Sequence, residues 1–69
     1  MQTTKIKTNK GEIEVILGKT ICDATGYSGM TDGKRVRGII TEYTYHHDHI
    51  TIEKDGVPCA CVPGGMILA

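Results

Sequence analysis

Apolar and polar residues alternate with a period of two along most of this chain, and turn-forming residues interrupt the alternation at short intervals. That is the pattern of half-buried strands, and helical periodicity is nearly absent. The first segment reads as a hairpin: Lys5 to Thr8, a turn at Asn9-Lys10-Gly11, then Glu12 to Leu17, with Ile13, Val15 and Leu17 on one face and both glutamates on the other. Lys19 to Ala24 fits either a strand or a single helical turn. A glycine-rich run from Thr25 to Gly33 follows, with three glycines in eight residues, too many for a regular element. The longest strand spans Lys34 to Tyr45. Simple alternation puts Val36, Gly38 and Ile40 on one face and Arg35, Arg37, Ile39, Thr41, Tyr43 and Tyr45 on the other, with Gly38 as the natural bend. His49 to Lys54 and Val57 to Val62 form a second hairpin across Asp55-Gly56, a strong short turn signal. Pro63-Gly64-Gly65 is expected to break that strand before the apolar tail Met66-Ile67-Leu68-Ala69.

Five or six short strands close most economically into a small barrel or a curled antiparallel sheet, because closure removes exposed strand edges. The expectation is therefore an all-β fold with one domain over residues 1–69. A chain of this length buries only about 60% of the surface its unfolded form exposes. With nine isoleucines, no Phe, no Trp and three tyrosines, the core is thin. A second copy of the chain would complete it, so a homo-oligomer is expected.

Within Gly33-Lys34-Arg35-Val36-Arg37-Gly38-Ile39-Ile40-Thr41-Glu42-Tyr43, the Gly-x-x-Val-x-Gly-x-Ile run resembles the bent second strand of Sm-like and broader SH3-like small barrels. The likeness implies the barrel shape and, from the Sm-like side, an RNA-binding role. The chain departs from the Sm-like pattern in lacking an N-terminal helix, an Asp-x-x-x-Asn after that strand and a basic-glycine pair near its end.

Charge narrows the partners. Eight basic and eight acidic residues cancel, whereas a free-standing nucleic-acid binder is usually strongly basic. Residues 1–37 carry seven basic groups against four acids, and residues 38–69 carry one against four, so opposite patches are in reach. Neutral balance favours a compact anion over a long polyanion. No apolar run approaches the roughly 18 residues of a membrane span, and Met-Gln-Thr-Thr-Lys has no apolar signal region. Three cysteines make an odd count. A cytoplasmic protein with no membrane association is expected.

The glycine run ending in Gly33-Lys34 fails as a nucleotide-hydrolase loop. Gly29 and Gly33 enclose three residues instead of four, Arg35 stands where Ser or Thr would hold magnesium, and a strand follows where a helix must start. What remains is a set suited to cupping a phosphate or carboxylate: Tyr27, Lys34, Arg35, Arg37, Tyr43 and His47, with tyrosine rings for stacking and cations for the charge. His46, His47, Asp48 and His49 with Cys59 and Cys61 raise the question of zinc. Register decides it. A two-residue turn at Asp55-Gly56 sets Ile52 against Cys59 and Ile50 against Cys61, with His49 on the opposite face; a three-residue loop at Lys54-Asp55-Gly56 brings His49 to Cys61. The spacing Cys-x-Cys favours small core cysteines, so no metal and no cofactor are expected. A chain this short offers little cleft for a Cys-His pair, and no catalytic residue is assigned. The functional expectation is a non-enzymatic binding module, homo-oligomeric, that captures a small nucleotide-like anion at a basic and aromatic surface or subunit junction. Alternatives are an Sm-like RNA binder and a small protein-protein adaptor or inhibitor.

Overall fold

The computed structural model describes residues 2–27, 33–46 and 49–69. His47 and Asp48, and residues 28–32 of the glycine-rich run, lie outside the described residues. Six strands follow one another: β1 (Thr3–Thr8), β2 (Gly11–Ile16), β3 (Ile21–Gly26), β4 (Arg35–Thr44), β5 (His49–Lys54) and β6 (Val57–Leu68). β3 to β6 close an antiparallel barrel, and β1 with β2 forms a separate two-stranded hairpin. The all-β small barrel is thus the fold, with four of the six strands in the closed wall. Lys19 to Ala24 resolves in favour of a strand, shifted to Ile21–Gly26. Among the described residues no helix is long and apolar enough to cross a membrane.

Each hairpin follows from its turn chemistry. At the β1–β2 turn, the Lys10 N–H donates to Thr8 Oγ1 at 3.1 Å, and that hydroxyl donates to the Gly11 carbonyl at 2.7 Å. The two strands then pair Lys5 with Glu14 and Lys7 with Glu12 on the solvent face, opposite charges facing each other, while Ile6 and Val15 are buried on the other face. At the β5–β6 turn, Asp55 has φ 52° and Gly56 φ 81°. Two consecutive positive φ values make the two-residue turn whose twist suits a hairpin, and Asp-Gly tolerates them. The register is accordingly Ile50 with Cys61 and Ile52 with Cys59.

Two irregularities shape the barrel wall. The β4–β5 register passes from Ile40–Ile52 to Glu42–Thr51, leaving Thr41 as an extra residue on β4. Parity therefore flips beyond it: Tyr43 pairs with Ile50 and packs against the core instead of sharing the outer face of Arg35 and Arg37. The second irregularity lies between β3 and β6, where Asp23 pairs with Ile67 but Thr25 pairs with Val62. The Pro63-Gly64-Gly65 segment falls in this gap. It bends β6 without ending it, which corrects the expected strand break. Its carbonyls find partners elsewhere: Asn9 N–H donates to Gly64 O at 2.9 Å, tying the β1–β2 turn to β6, and Arg35 serves Gly65.

The core is one cluster. Ile6 and Val15 of the hairpin join Cys22, Ala24, Val36, Ile40, Ile50, Ile52, Cys61 and Met66 of the barrel. The hairpin is held over the barrel by that shared burial and by two bonds around Thr20 and Gly18: Gly18 N–H to Ile40 O at 2.8 Å, and Ile40 N–H to Thr20 O at 3.0 Å. Gly38 is the narrow point of the wall. A methyl group there would collide with the backbone carbonyl of Glu53 on β5 and stand 3.0 Å from Ile52 Cγ2. The expected bend at Gly38 is thus a position where two strands approach too closely for any side chain.

Candidate functional site

The residues expected to form one anion site fall into separate places. Tyr27 and Lys34 stand together at one end of the β3–β4 pair, because the Gly26 N–H donates to Lys34 O at 2.9 Å and the Tyr27 N–H to Ala60 O at 3.1 Å. The Tyr27 ring is partly exposed and meets the His49 ring edge-on, with centroids 6.4 Å apart. Lys34 is exposed and makes no ion pair among the described residues.

Arg35 has a different task. Its Nη1 donates to Gly65 O at 2.9 Å and to Thr25 Oγ1 at 3.1 Å, its Nη2 donates to Asp23 O at 3.0 Å, and its Nε lies 2.7 Å from Asp23 Oδ1. That last contact is an ion pair without the alignment of a hydrogen bond, to an oxygen that is otherwise buried. Both terminal nitrogens of the guanidinium thus donate to β3 and to the bent part of β6, and Nε adds the ion pair. The planar fork of Arg is suited to reaching several acceptors at once, and here it clasps two strands where their ladder is interrupted.

Arg37 sits further along the same outer face, opposite Asp23 in the β3–β4 register, but the Asp23 carboxylate is engaged by Arg35. Arg37 makes no ion pair among the described residues. Tyr43 is half-buried on the inner side and edge-on to Tyr45 at 6.4 Å. The single stripe of two arginines and two tyrosines does not exist, because the Thr41 bulge divides it.

The cysteines belong to the core. Cys22 and Cys61 are fully buried and Cys59 half-buried, all as free thiols. Burial first, then the neighbouring Cys61 and Asp23, pushes the Cys22 thiol up from 9.0 to about 11. Burial and Cys59 push Cys61 up to about 11 against an opposing pull from Arg35. Both therefore stay protonated at neutral pH, and a protonated thiol is a weak nucleophile and a poor metal ligand. The two-residue turn leaves His49 on the face opposite Cys61, and no three His, Cys, Asp or Glu residues cluster as a metal site among the described residues.

Sequence reasoning missed the partnership of Asp23 with Arg35 and the exposed aliphatic group formed by Ile21, Ile39 and Ile67. The pairing of Ile21 with Ile39 depends on a register between strands separated by the glycine-rich run, for which no local turn signal exists. What the fold defines is a small closed antiparallel all-β barrel in whose wall two strands approach closely at Gly38. No protein family, no curated relative and no solved structure matches the chain.

Proposed function

We propose that this protein is a non-enzymatic binding module of the SH3-like or Sm-like barrel type, self-associating, which captures a small anion of nucleotide-like character at the Tyr27–Lys34 end of β3 and β4. One observation carries the reading: the Gly26 to Lys34 backbone hydrogen bond brings exposed Lys34, which has no ion-pair partner among the described residues, to the strand end next to Tyr27, whose ring is partly exposed. A cation takes the phosphate or carboxylate, and the ring offers a stacking face for a base. Arg35 and Tyr43 act as structural supports in this reading, and Arg37 lies outside the ligand site.

Titration of the labelled protein with AMP, followed by amide NMR shifts, tests it. The expected result is saturable shifts at Gly26, Tyr27 and Lys34, weakened about tenfold by Lys34→Ala, the loss of about 1.4 kcal/mol of binding energy. Shifts elsewhere, or none at millimolar AMP, overturn the site. Replacing AMP with oligouridylates separates the RNA-binding reading: affinity that grows with length and falls steeply with salt would replace the small-anion proposal with an Sm-like one.

A further inference from the structure

The barrel wall is closed, so its strands offer no free edge to a partner, and association through them must use a face. The outer face of β3, β4 and the end of β6 carries an exposed aliphatic group. Ile21 is 50% exposed, Ile39 37% and Ile67 40%. Ile21 and Ile39 are direct cross-strand partners, and Ile67 pairs with Asp23, one step diagonal to Ile21. β-branched side chains directly opposite one another on a sheet are in contact, so these residues form one patch and not scattered singles.

The charges beside the patch have a definite arrangement. Arg37 lies two residues before Ile39 on the same face of β4, and Glu53 lies directly across from Ile39 on β5. Asp23, the acid nearest Arg37 in register, is engaged by Arg35. Neither Arg37 nor Glu53 has an ion-pair partner among the described residues. The patch thus has an aliphatic centre with one unpaired cation and one unpaired anion on different sides of Ile39. A two-fold contact requires that residue i of one copy meet residue j of the other, and j meet i. A partner of uniform charge would leave either Arg37 or Glu53 facing its own sign. A second copy leaves neither.

We propose that this face is a two-fold self-association surface, in which Ile21 and Ile39 meet their counterparts in a second copy while Arg37 of each copy pairs with Glu53 of the other. This deepens the self-association in the reading above and is spatially distinct from the Tyr27–Lys34 ligand site.

Sedimentation equilibrium and native mass spectrometry of the full chain test it by charge reversal. Wild type is expected to be a dimer. Arg37→Glu and Glu53→Arg should each raise the dimer dissociation constant at least about tenfold, since each converts two attractive contacts into two repulsive ones. The double variant Arg37→Glu/Glu53→Arg should return it to within about threefold of wild type. Circular dichroism checks that each variant keeps the barrel, and Glu53→Arg, an exposed position, carries the test alone if Arg37→Glu misfolds. A wild type that stays monomeric to about 1 mM overturns the proposal. So does an assembly that neither single reversal weakens, or single reversals that the double variant does not rescue. AMP titration keeps the two readings apart: a monomeric Glu53→Arg variant that binds AMP normally upholds both, whereas a wild-type dimer without AMP shifts defeats only the ligand site.

Discussion

Replacing Gly38 by Ala sets two physical effects of opposite sign against each other. Gly38 does not have positive φ, so its backbone is open to any residue, and Gly→Ala at such a position ordinarily stabilises by about 0.4–1 kcal/mol through the unfolded chain. The added methyl group, however, would overlap the Glu53 carbonyl oxygen, stand 2.9 Å from the Glu53 carbonyl carbon and 3.0 Å from Ile52 Cγ2. Two of those atoms are backbone and cannot rotate away, so β4 and β5 must separate where Ile39 pairs with Glu53 and Ile40 with Ile52. Overpacking of this kind costs typically about 1–3 kcal/mol, and a backbone obstacle belongs at the upper end. The net expectation is a loss of about 1–2 kcal/mol. For a domain of this size that lowers Tm by about 5–15 °C. The assay is urea and thermal unfolding by circular dichroism and tyrosine fluorescence at one fixed protein concentration, because self-association would otherwise shift the midpoint. Gly65→Ala is the control: its methyl group meets only ordinary contacts, 3.5 Å from Arg35 Nη1 and 3.7 Å from Thr25 Oγ1, and should change stability by less than about 0.5 kcal/mol. A Gly38→Ala protein as stable as wild type, or more so, would refute the close approach of β4 to β5.

Two further outcomes follow from the clasp and the core. Arg35→Met removes the donors for the Gly65 and Asp23 carbonyls and the ion pair with Asp23, whose side chains are 45% and 29% exposed; because that exposure leaves the ion pair little weight, the loss is about 1–3 kcal/mol and comes mainly from the carbonyls, and Arg35→Lys should recover little of it in the same unfolding assay. Cys22 and Cys61 have folded-state pKa values raised from 9.0 to about 11, so their contribution to stability is complete below about pH 9 and is lost as pH rises through about 11; urea midpoints measured from pH 7 to 11 should fall only in that alkaline window, Cys22→Ala/Cys61→Ala should flatten the fall, and a native protein whose thiols react at pH 7 as fast as free cysteine would contradict their burial.

The legible parts of this fold are those in which a local signal sets a local register. Asp55-Gly56 specifies its own turn, and once that turn has two residues the partners of Cys59 and Cys61 are determined by counting. The alternation of Ile13 and Val15 against Glu12 and Glu14 likewise identifies the inner face of β2. The parts that were not legible depend on where the barrel closes. Nothing around Thr41 announces an extra residue, yet that residue sends Tyr43 inward and dissolves the shared face of two arginines and two tyrosines. Arg35 reads in sequence as a free surface cation because its acceptor on Gly65 is 30 residues away and is exposed only by the bend in β6.

The same closure explains why the anion site contracts and why a different surface comes forward. Bending β6 at Pro63-Gly64-Gly65 leaves backbone acceptors that the barrel ladder does not satisfy, and a buried carbonyl without a partner is costly. The β1–β2 turn serves Gly64, and Arg35 serves Gly65. Committing Arg35 in this way also commits the Asp23 carboxylate, which lies opposite Arg37 in the β3–β4 register. Among the described residues Arg37 is thereby left without an ion-pair partner next to Ile39, as is Glu53 on β5. A requirement of backbone hydrogen bonding inside β6 thus sets the charge pattern on the outside of β4. If that chain of cause is right, Arg35→Met should release Asp23 to pair with Arg37 and weaken self-association along with stability, although residue 35 is not itself part of the proposed contact. An Arg35→Met protein that is less stable yet dimerises as tightly as wild type would show that the clasp and the outer face are independent.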